Sequence, residues 1–322
     1  MMKKLDEILE GVQTAAIAGH VNPDGDCVGS AMGVYLYLRD NFPQIQADVY
    51  LERKKADFDF IPESSGVKTE IENGKIYDLL ILVDVSSLDR VGVAGEYITT
   101  AKKTVCIDHH VTNAGFCEGN HVVPDASSTC EVLYDLMEKE KISQDCAIAL
   151  YTGMVTDTGV FQYSNTTPHT MRIAASLLEK EIPFSDIVEQ AFYRKTYAQN
   201  QLMGRTLMES IMLMEGKCIV GIVRQKEMKF YGLTPADMDG IVNQLRNTAG
   251  VEVAIFLYEL EPQTFKVSMR SDKKVDVSSI ARLFGGGGHI RAAGCTMNGN
   301  PFDVVNNLTL YIERQLLESD GE

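Results

Sequence analysis

The sequence predicts an α/β protein: a doubly wound, mainly parallel sheet domain, then a helical connector, then a smaller mixed α/β domain. Three observations predict it. In the first half, short apolar and β-branched runs alternate with segments of helical period, the arrangement of parallel strands joined by crossover helices. The run Asp78-Leu-Leu-Ile-Leu-Val-Asp-Val is apolar on both faces, as a central strand covered by helices on either side must be. The chain of 322 residues is about two domains long, and its pattern changes after Gly216.

Taken in order, residues 5–12 have helical period, 14–19 read as the first strand, 28–40 as helix, 47–51 as strand, 78–85 as the central strand and 103–108 as a fourth. Helices follow at 128–140, 144–154 and 169–181. Two carry start signals. Ser128-Thr-Cys-Glu131 fits a capping box, and Thr167-Pro168 puts proline at a first helical position, where its missing N–H has no intrahelical partner to lose. From 183 to about 215 the pattern is helical, with no Gly/Ser linker. Beyond Gly216, strands are expected at 217–224, 251–259 and 264–270, helices at 235–247 and 277–284, a loop at the four-glycine run 285–288, and a last helix at 302–317. The expected organisation is a domain at 1–190, a helical connector at 191–215 and a second domain at 216–322, with no internal repeat.

Composition narrows the function. Hydrophobic residues make up 45% and charged residues 23%, an ordinary globular balance. With 30 Lys+Arg against 45 Asp+Glu the net charge is −15, the wrong sign for a coat of long nucleic acid, whose affinity comes from neutralised phosphates. Phosphate handling, if present, must be local, through a few placed cations or metal ions. The longest apolar stretches, 79–83 and 218–223, fall far short of the roughly 20 residues of a membrane-spanning helix. Asp6, Glu7 and Glu10 interrupt what would have to be the apolar core of a secretory leader. Seven cysteines, an odd number without a CxxC pair, suit reduced thiols, so a cytoplasmic protein is expected. Cys27 and Cys106 read as buried fillers.

Four clusters carry chemistry, each where a strand or helix ends: His20-Val-Asn-Pro-Asp24-Gly-Asp26 after the first strand, Asp84 after the central strand, Asp108-His109-His110 after the fourth, and Thr156-Asp157-Thr158-Gly159 after the helix at 144–154. Each alone has a plain structural explanation, since Asn-Pro-Asp-Gly is a common turn and an Asp can cap a helix. Together, inside one doubly wound domain, they converge on the place where open α/β sheets bind ligands, beyond the carboxyl ends of the strands. Carboxylate oxygens and imidazole nitrogens suit Mn²⁺ or Mg²⁺, with Fe, Co or Zn as alternatives. The donors outnumber the needs of one ion, so two ions sharing a bridging carboxylate is the economical arrangement. His121 reads as loop and His169 as an early-helix surface residue, neither a ligand.

A fifth feature is Phe284-Gly-Gly-Gly-Gly-His289-Ile-Arg291-Ala-Ala-Gly294. Backbone N–H groups in such a stretch can cradle an anion because no Cβ blocks approach. Arg270-Ser271 adds a donor for phosphate or carboxylate. Phe284 reads as core.

With these residues in hand, the chain resembles the DHH phosphoesterase superfamily: His-x-Asn-Pro-Asp-Gly-Asp, a strand-end Asp, Asp-His-His and a later Asp occur in the family's order, and the Gly-Gly-Gly-Gly-His segment resembles the DHH-associated substrate domain. The resemblance covers nearly the whole chain. Its compact two-domain length is most similar to the nanoRNase branch, which hydrolyses short oligoribonucleotides and 3′-phosphoadenosine 5′-phosphate. The resemblance implies two divalent ions, Mn²⁺ or Mg²⁺. His20 and Asp24 would hold the first, Asp26, His109 and Asp157 the second, and Asp84 would bridge both. His110 would face the substrate phosphate, with Asp108 beside it in the catalytic group. Arg270, Ser271, Gly286, Gly287, Gly288 and His289 would grip the phosphate or nucleotide of a short RNA or nucleotide substrate. No membrane partner is expected, and a homodimer only on the base rate for soluble proteins. The alternatives are a phosphodiesterase for linear dinucleotides, a pyrophosphatase or exopolyphosphatase-like hydrolase, and a non-catalytic nucleotide sensor.

Overall fold

In the computed structural model, which describes residues 4–52 and 58–320, the first unit (Met1–Arg194) follows the strand–helix alternation of its sequence. Its elements are α1 (Leu5–Ile8), β1 (Thr14–Ala18), α2 (Gly25–Asn41), β2 (Gln46–Tyr50), β3 (Leu79–Val83), α3 (Tyr97–Thr100), β4 (Thr104–Asp108), β5 (Gly119–Val122), α4 (Thr129–Leu136), α5 (Gln144–Asp157), α6 (Pro168–Leu178) and α7 (Phe184–Val188). The five strands form one parallel sheet in the order β2-β1-β3-β4-β5. Every residue of β3 is buried. Ile81, Val83 and Ile107 point into a core shared with α2, α4 and α5, while Leu80, Leu82 and Cys106 point to the opposite face, against Tyr50, Tyr77 and Tyr97. Continuous apolar strands are the consequence of this two-sided burial.

Glycine sets the crossing of α2 and α5. A Cβ on Gly29 would lie 2.5 Å from the Ala149 carbonyl oxygen, and one on Gly153 would lie 2.3 Å from Cys130 Sγ and 2.6 Å from Asp26 Oδ1. The helices can therefore approach closely, and α5 passes directly beside Asp26.

Several sequence readings change: α2 begins at Gly25 rather than 28, and α4 ends at Leu136 rather than 140. The first helix ends at Ile8 rather than 12, with the chain turning at Gly11 (φ +76°). A fifth strand, β5, pairs with β4 and carries His121, which was expected in a loop. It is an edge strand of mixed polarity, without the apolar alternation that would mark it. Ser128 caps α4 by accepting the Glu131 N–H, but the Glu131 carboxylate accepts from Ser127 and Thr170 rather than closing a capping box. Helix α5 runs on to Asp157, which is its last residue instead of a residue beyond it. The Thr167-Pro168 start is as expected, with a capping box between Thr167 and Thr170.

The second unit (Lys195–Glu322) contains α8 (Tyr197–Met208), β6 (Ile211–Leu213), β7 (Cys218–Val223), α9 (Gln225–Tyr231), α10 (Ile241–Arg246), β8 (Val253–Glu261), β9 (Thr264–Ser271), α11 (Val277–Leu283), β10 (Gly287–His289), β11 (Ala292–Asn298) and α12 (Pro301–Asp320). Its six-stranded mixed sheet has the order β10-β11-β9-β8-β7-β6, with only β7 and β8 parallel. One face packs Leu257, Phe265, Val267 and Met269 against α11 and α12, with Phe284 partly buried beside this core. The other packs Ile219, Ala254 and Phe256 against α8, α9 and α10. Of the stretch 191–215, α8 buries Leu202 in this second core and β6 forms the sheet edge.

The glycine run, expected as a loop, is in part strand β10, paired with β11. Its missing side chains are what permit the pairing: a Cβ on Gly286 would sit 2.1 Å from the Gly294 carbonyl oxygen, and one on Gly288 2.4 Å from that of Ala292. All seven cysteines are free. Among the described residues, no helix is long and apolar enough to cross a membrane.

Candidate metal centre

The acids and histidines of the first unit meet at the carboxyl end of the parallel sheet. The chain leaves β1 at His20 and turns through Asn22 (φ +54°, a conformation Asn tolerates) into α2. Asp24 is the N-cap of α2, its Oδ1 accepting the N–H groups of Asp26 and Cys27, both at 3.1 Å. Asp26, one residue inside the helix, is fully buried. Its carboxylate caps another helix: Oδ2 accepts the Thr129 N–H at 2.7 Å and Oδ1 the Cys130 N–H at 3.1 Å, the first two N–H groups of α4. Asp84 follows β3 with φ +58°, costly for a residue with a Cβ, and is 2% exposed.

Asp84 sits in the middle of the cluster, its two carboxylate oxygens facing different histidines. Oδ2 lies 3.4 Å from His20 Nε2, whereas Oδ1 lies 3.7 Å from His109 Nε2 and 3.6 Å from His110 Nδ1. Asp24 Oδ1 is 3.7 Å from His20 Nε2, and Asp157 Oδ2 is 3.2 Å from His109 Nε2. Ligand atoms of Asp26, His109 and Asp157 all lie within 4.8 Å of one another, as do those of Asp84, His109 and His110.

The histidines fall into two kinds. His20 Nδ1 lies 2.7 Å from the Val21 carbonyl oxygen and His109 Nδ1 lies 3.3 Å from that of Ala126. A carbonyl only accepts, so each Nδ1 carries its hydrogen and each Nε2 turns a ligating lone pair toward the acids when the ring is neutral. His110 is different: its Nδ1 lies 2.7 Å from Asp108 Oδ1. Asp108 is fully buried, and its other oxygen accepts from Asn113 Nδ2, which also donates to the Val85 carbonyl. Burial works against a charge on His110, but the Asp108 hydrogen bond and the Asp84 charge outweigh it and raise the imidazole pKa. The same pairing, against the effect of burial, holds the Asp108 carboxyl below its usual range.

The electrostatics fit cations. Burial and the negative charge of Asp84 push the Asp26 carboxyl up to about 7. Burial and the carboxylates of Asp26, Asp24 and Asp84 push Asp157 well above the usual range. A buried acid such as Asp26 that takes up a proton near neutrality lacks a countercharge, and together with Asp157 and the Nε2 atoms of His20 and His109 it makes an oxygen- and nitrogen-rich donor set for divalent cations.

Several residues of this centre were not read from the sequence as functional. Cys27 brings its sulfur within 4.8 Å of ligand atoms of His20 and Asp84, though burial pushes its thiol up to about 11. Asn113 and Thr129 contact the acids directly. Asn113 lies five residues past Asp108 in the same turn, a spacing that flags it only once the turn is seen. His169 is half-buried, near the start of α6, with Nε2 2.7 Å from Asp135.

In the second unit, register places Arg270 opposite Ala292, and Ala292 opposite His289. Directly paired residues share a face, so Arg270 and His289 flank Ala292 on one side of the sheet, roughly 10 Å apart at two strand spacings. Ser271 alternates to the other face, away from Arg270. It is 3% exposed, and its hydroxyl donates to the Val275 carbonyl at 2.6 Å. Gly287, Gly288 and His289 form the exposed edge strand, whose outer row of backbone groups has no neighbouring strand among the described residues.

Comparison with known proteins agrees with this geometry. Residues 14–154 match the DHH family, N-terminal domain, and residues 215–313 match the DHHA1 domain. The chain is 30% identical, over 99% of its length and 95% of the other's, to the bifunctional oligoribonuclease and PAP phosphatase NrnA of Thermus thermophilus. It is 26% identical to the Bacillus subtilis protein of the same name, over 92% of this chain and 93% of that one. A solved structure of an exopolyphosphatase-related protein from Bacteroides fragilis superposes with a TM-score of 0.87 at 25% identity, covering 97% of this chain and 95% of the other.

Proposed function

Because the chain belongs to the DHH family and carries a DHHA1 domain, we propose that it is a metal-dependent phosphoesterase that hydrolyses short oligoribonucleotides to 5′-mononucleotides and 3′-phosphoadenosine 5′-phosphate to AMP and phosphate. Relatives named as bifunctional oligoribonuclease and PAP phosphatase, aligned over nearly the whole chain, support the substrate class. The observation that carries the chemistry is the divided carboxylate of Asp84, one oxygen toward His20 and the other toward His109.

On this reading Asp84 is shared by two divalent ions, Mn²⁺ or Mg²⁺ by donor type. His20 and Asp24 complete one set of ligands, and Asp26, His109 and Asp157 the other. Bound there, such ions would supply a water acidified to near neutrality and positive charge opposite the phosphoryl oxygens. The chain's own residues do the rest. His110, oriented by Asp108, which also raises its pKa, is placed to donate to a phosphoryl oxygen as charge gathers on it. Asn113 fixes Asp108 and so fixes the imidazole. A water oxygen becomes bonded to phosphorus, the ester P–O bond breaks, and the leaving oxygen departs with a proton, so no protein nucleophile is required. In the second unit Arg270, His289 and the edge of β10 bind the anionic end of a nucleotide. Ser271 shapes the turn behind Arg270 rather than binding. The net charge of −15 disfavours long polyanions and suits short substrates.

The test is one activity panel with Mn²⁺ present, offering an RNA dinucleotide, a long single-stranded RNA, 3′-phosphoadenosine 5′-phosphate and pyrophosphate. Turnover of the dinucleotide and the adenosine bisphosphate well above the other two is expected. Preference for pyrophosphate, or no turnover with metal bound, would sink this reading.

A further inference from the structure

A bridging carboxylate works only if its plane is held. The terminal torsion of an aspartate is broad and soft, and Asp84 stands on a strained backbone, 2% exposed, with little water to hold its oxygens. Yet its two oxygens must point to different histidines. Thr129 supplies the restraint. Its hydroxyl lies 3.1 Å from Asp84 Oδ1, and since a carboxylate only accepts, the hydroxyl donates. The backbone N–H of the same residue donates to Asp26 Oδ2 at 2.7 Å. One fully buried threonine thus touches the carboxylate assigned to both ions and a second one assigned to a single ion.

Thr129 is itself clamped. Ser128 caps the helix that Thr129 begins. Glu131, in the same first turn, accepts from the hydroxyls of Ser127 at 2.6 Å and Thr170 at 2.7 Å, which ties α4 to α6. Asn165 donates both to the Ser127 carbonyl at 2.9 Å and to the Asp157 carbonyl at 3.2 Å, which ties the start of α4 to the end of α5. The first turn of α4 is therefore anchored on two sides before it reaches the acids.

We propose that Thr129 is a positioning residue of the metal centre: its hydroxyl sets the rotation of the Asp84 carboxylate while its N–H holds Asp26, so that both acids meet the cations in a fixed orientation. The proposal rests on the metal reading above. Groups that orient ligands from behind are commonly worth about 10–100-fold in metal affinity or activity. Packing and positioning make opposite demands on substitution here. Thr129→Val keeps the shape and the methyl but removes the hydroxyl. Thr129→Ser keeps the hydroxyl but removes a buried methyl.

The experiment titrates Mn²⁺ alone into the metal-free full-length chain by calorimetry, for the unaltered protein and both variants, alongside thermal unfolding in chelator and steady-state kinetics on an RNA dinucleotide. Thr129→Val should lose about 10–100-fold in Mn²⁺ affinity, with kcat falling and KM little changed. Thr129→Ser should stay within a few-fold of the unaltered chain in both. Unaltered affinity in Thr129→Val overturns the proposal. So does a tenfold loss in Thr129→Ser, which decides the matter even if the valine variant does not fold. Failure of the unaltered chain to bind Mn²⁺ or Mg²⁺ would refute the metal reading itself, a different result from binding that ignores the hydroxyl.

Discussion

Gly153→Ala tests how tightly α5 is built around the metal centre. The new Cβ would lie 2.3 Å from Cys130 Sγ, 2.6 Å from Asp26 Oδ1 and 3.0 Å from Asp26 Cα. The Asp26 carboxylate cannot simply swing away, because its two oxygens accept the Thr129 and Cys130 N–H groups. Either those hydrogen bonds break or α5 moves. Overpacking of this kind costs about 1–3 kcal/mol, and replacing glycine within a helix returns up to about 1 kcal/mol. A net loss of about 1–2 kcal/mol in denaturant unfolding follows, with a fall of about 10–100-fold in Mn²⁺ affinity as Asp26 is displaced. Gly29→Ala is the control. Its Cβ would strike the Ala149 carbonyl and the Gly153 backbone but no acid, so stability should fall comparably with a much smaller effect on the metal. Calorimetric Mn²⁺ titration and urea unfolding on both variants measure the two quantities. Full Mn²⁺ affinity in Gly153→Ala, or equal affinity losses in the two variants, would refute the claim that α5 sets the position of Asp26.

Asp84→Asn removes the negative charge from the carboxylate proposed to be shared by two ions and should abolish most activity and most metal binding; metal analysis of the purified variant together with turnover checks this. His110→Ala should keep its metal while turnover drops on the order of 10–100-fold, since His110 is oriented by Asp108 and assigned to the phosphoryl group; loss of metal instead would make it a ligand. Away from the centre, Asp48 predicts an acid dependence of stability. Burial pushes its pKa up, but hydrogen bonds from Lys68, Lys75 and Tyr77 outweigh burial and bring it below the usual value. A lowered folded-state pKa contributes stability at neutral pH that is lost as pH falls through the ordinary aspartate value of about 3.9 and below. The unaltered chain should therefore lose more stability than Asp48→Asn between about pH 5 and pH 2, read as thermal midpoints across that range.

The parallel sheet was legible because burial on both faces leaves a continuous apolar run, and β3 carries it at every position. Strand β5 was not, since an edge strand of Gly-Asn-His-Val has neither alternation nor an apolar run. Strand β10 was hidden for the opposite reason: glycine is poor in strands by propensity, and only the close approach of Gly294 and Ala292 explains why glycine is required there. That Ser271 and Arg270 face opposite ways was hidden by their adjacency in sequence, since neighbours on a strand point to opposite faces.

What the sequence by itself determined are the features that local chemistry dictates: which runs become strands, that acids and histidines follow them, and that Asp24 sits in the turn after the first strand; that Asp24 caps α2 was decided by the structure. Which of these groups share a centre was decided by tertiary structure. Asp26 from α2, Asp84 from the end of β3, His109 from the end of β4 and Asp157 from the end of α5 meet only because parallel strands all finish at one edge of the sheet. Thr129 and Asn113 are invisible before folding for the same reason. Their value lies in hydrogen bonds to residues that no local pattern brings near, and a buried carboxylate takes its orientation from whatever donor the fold sets against it.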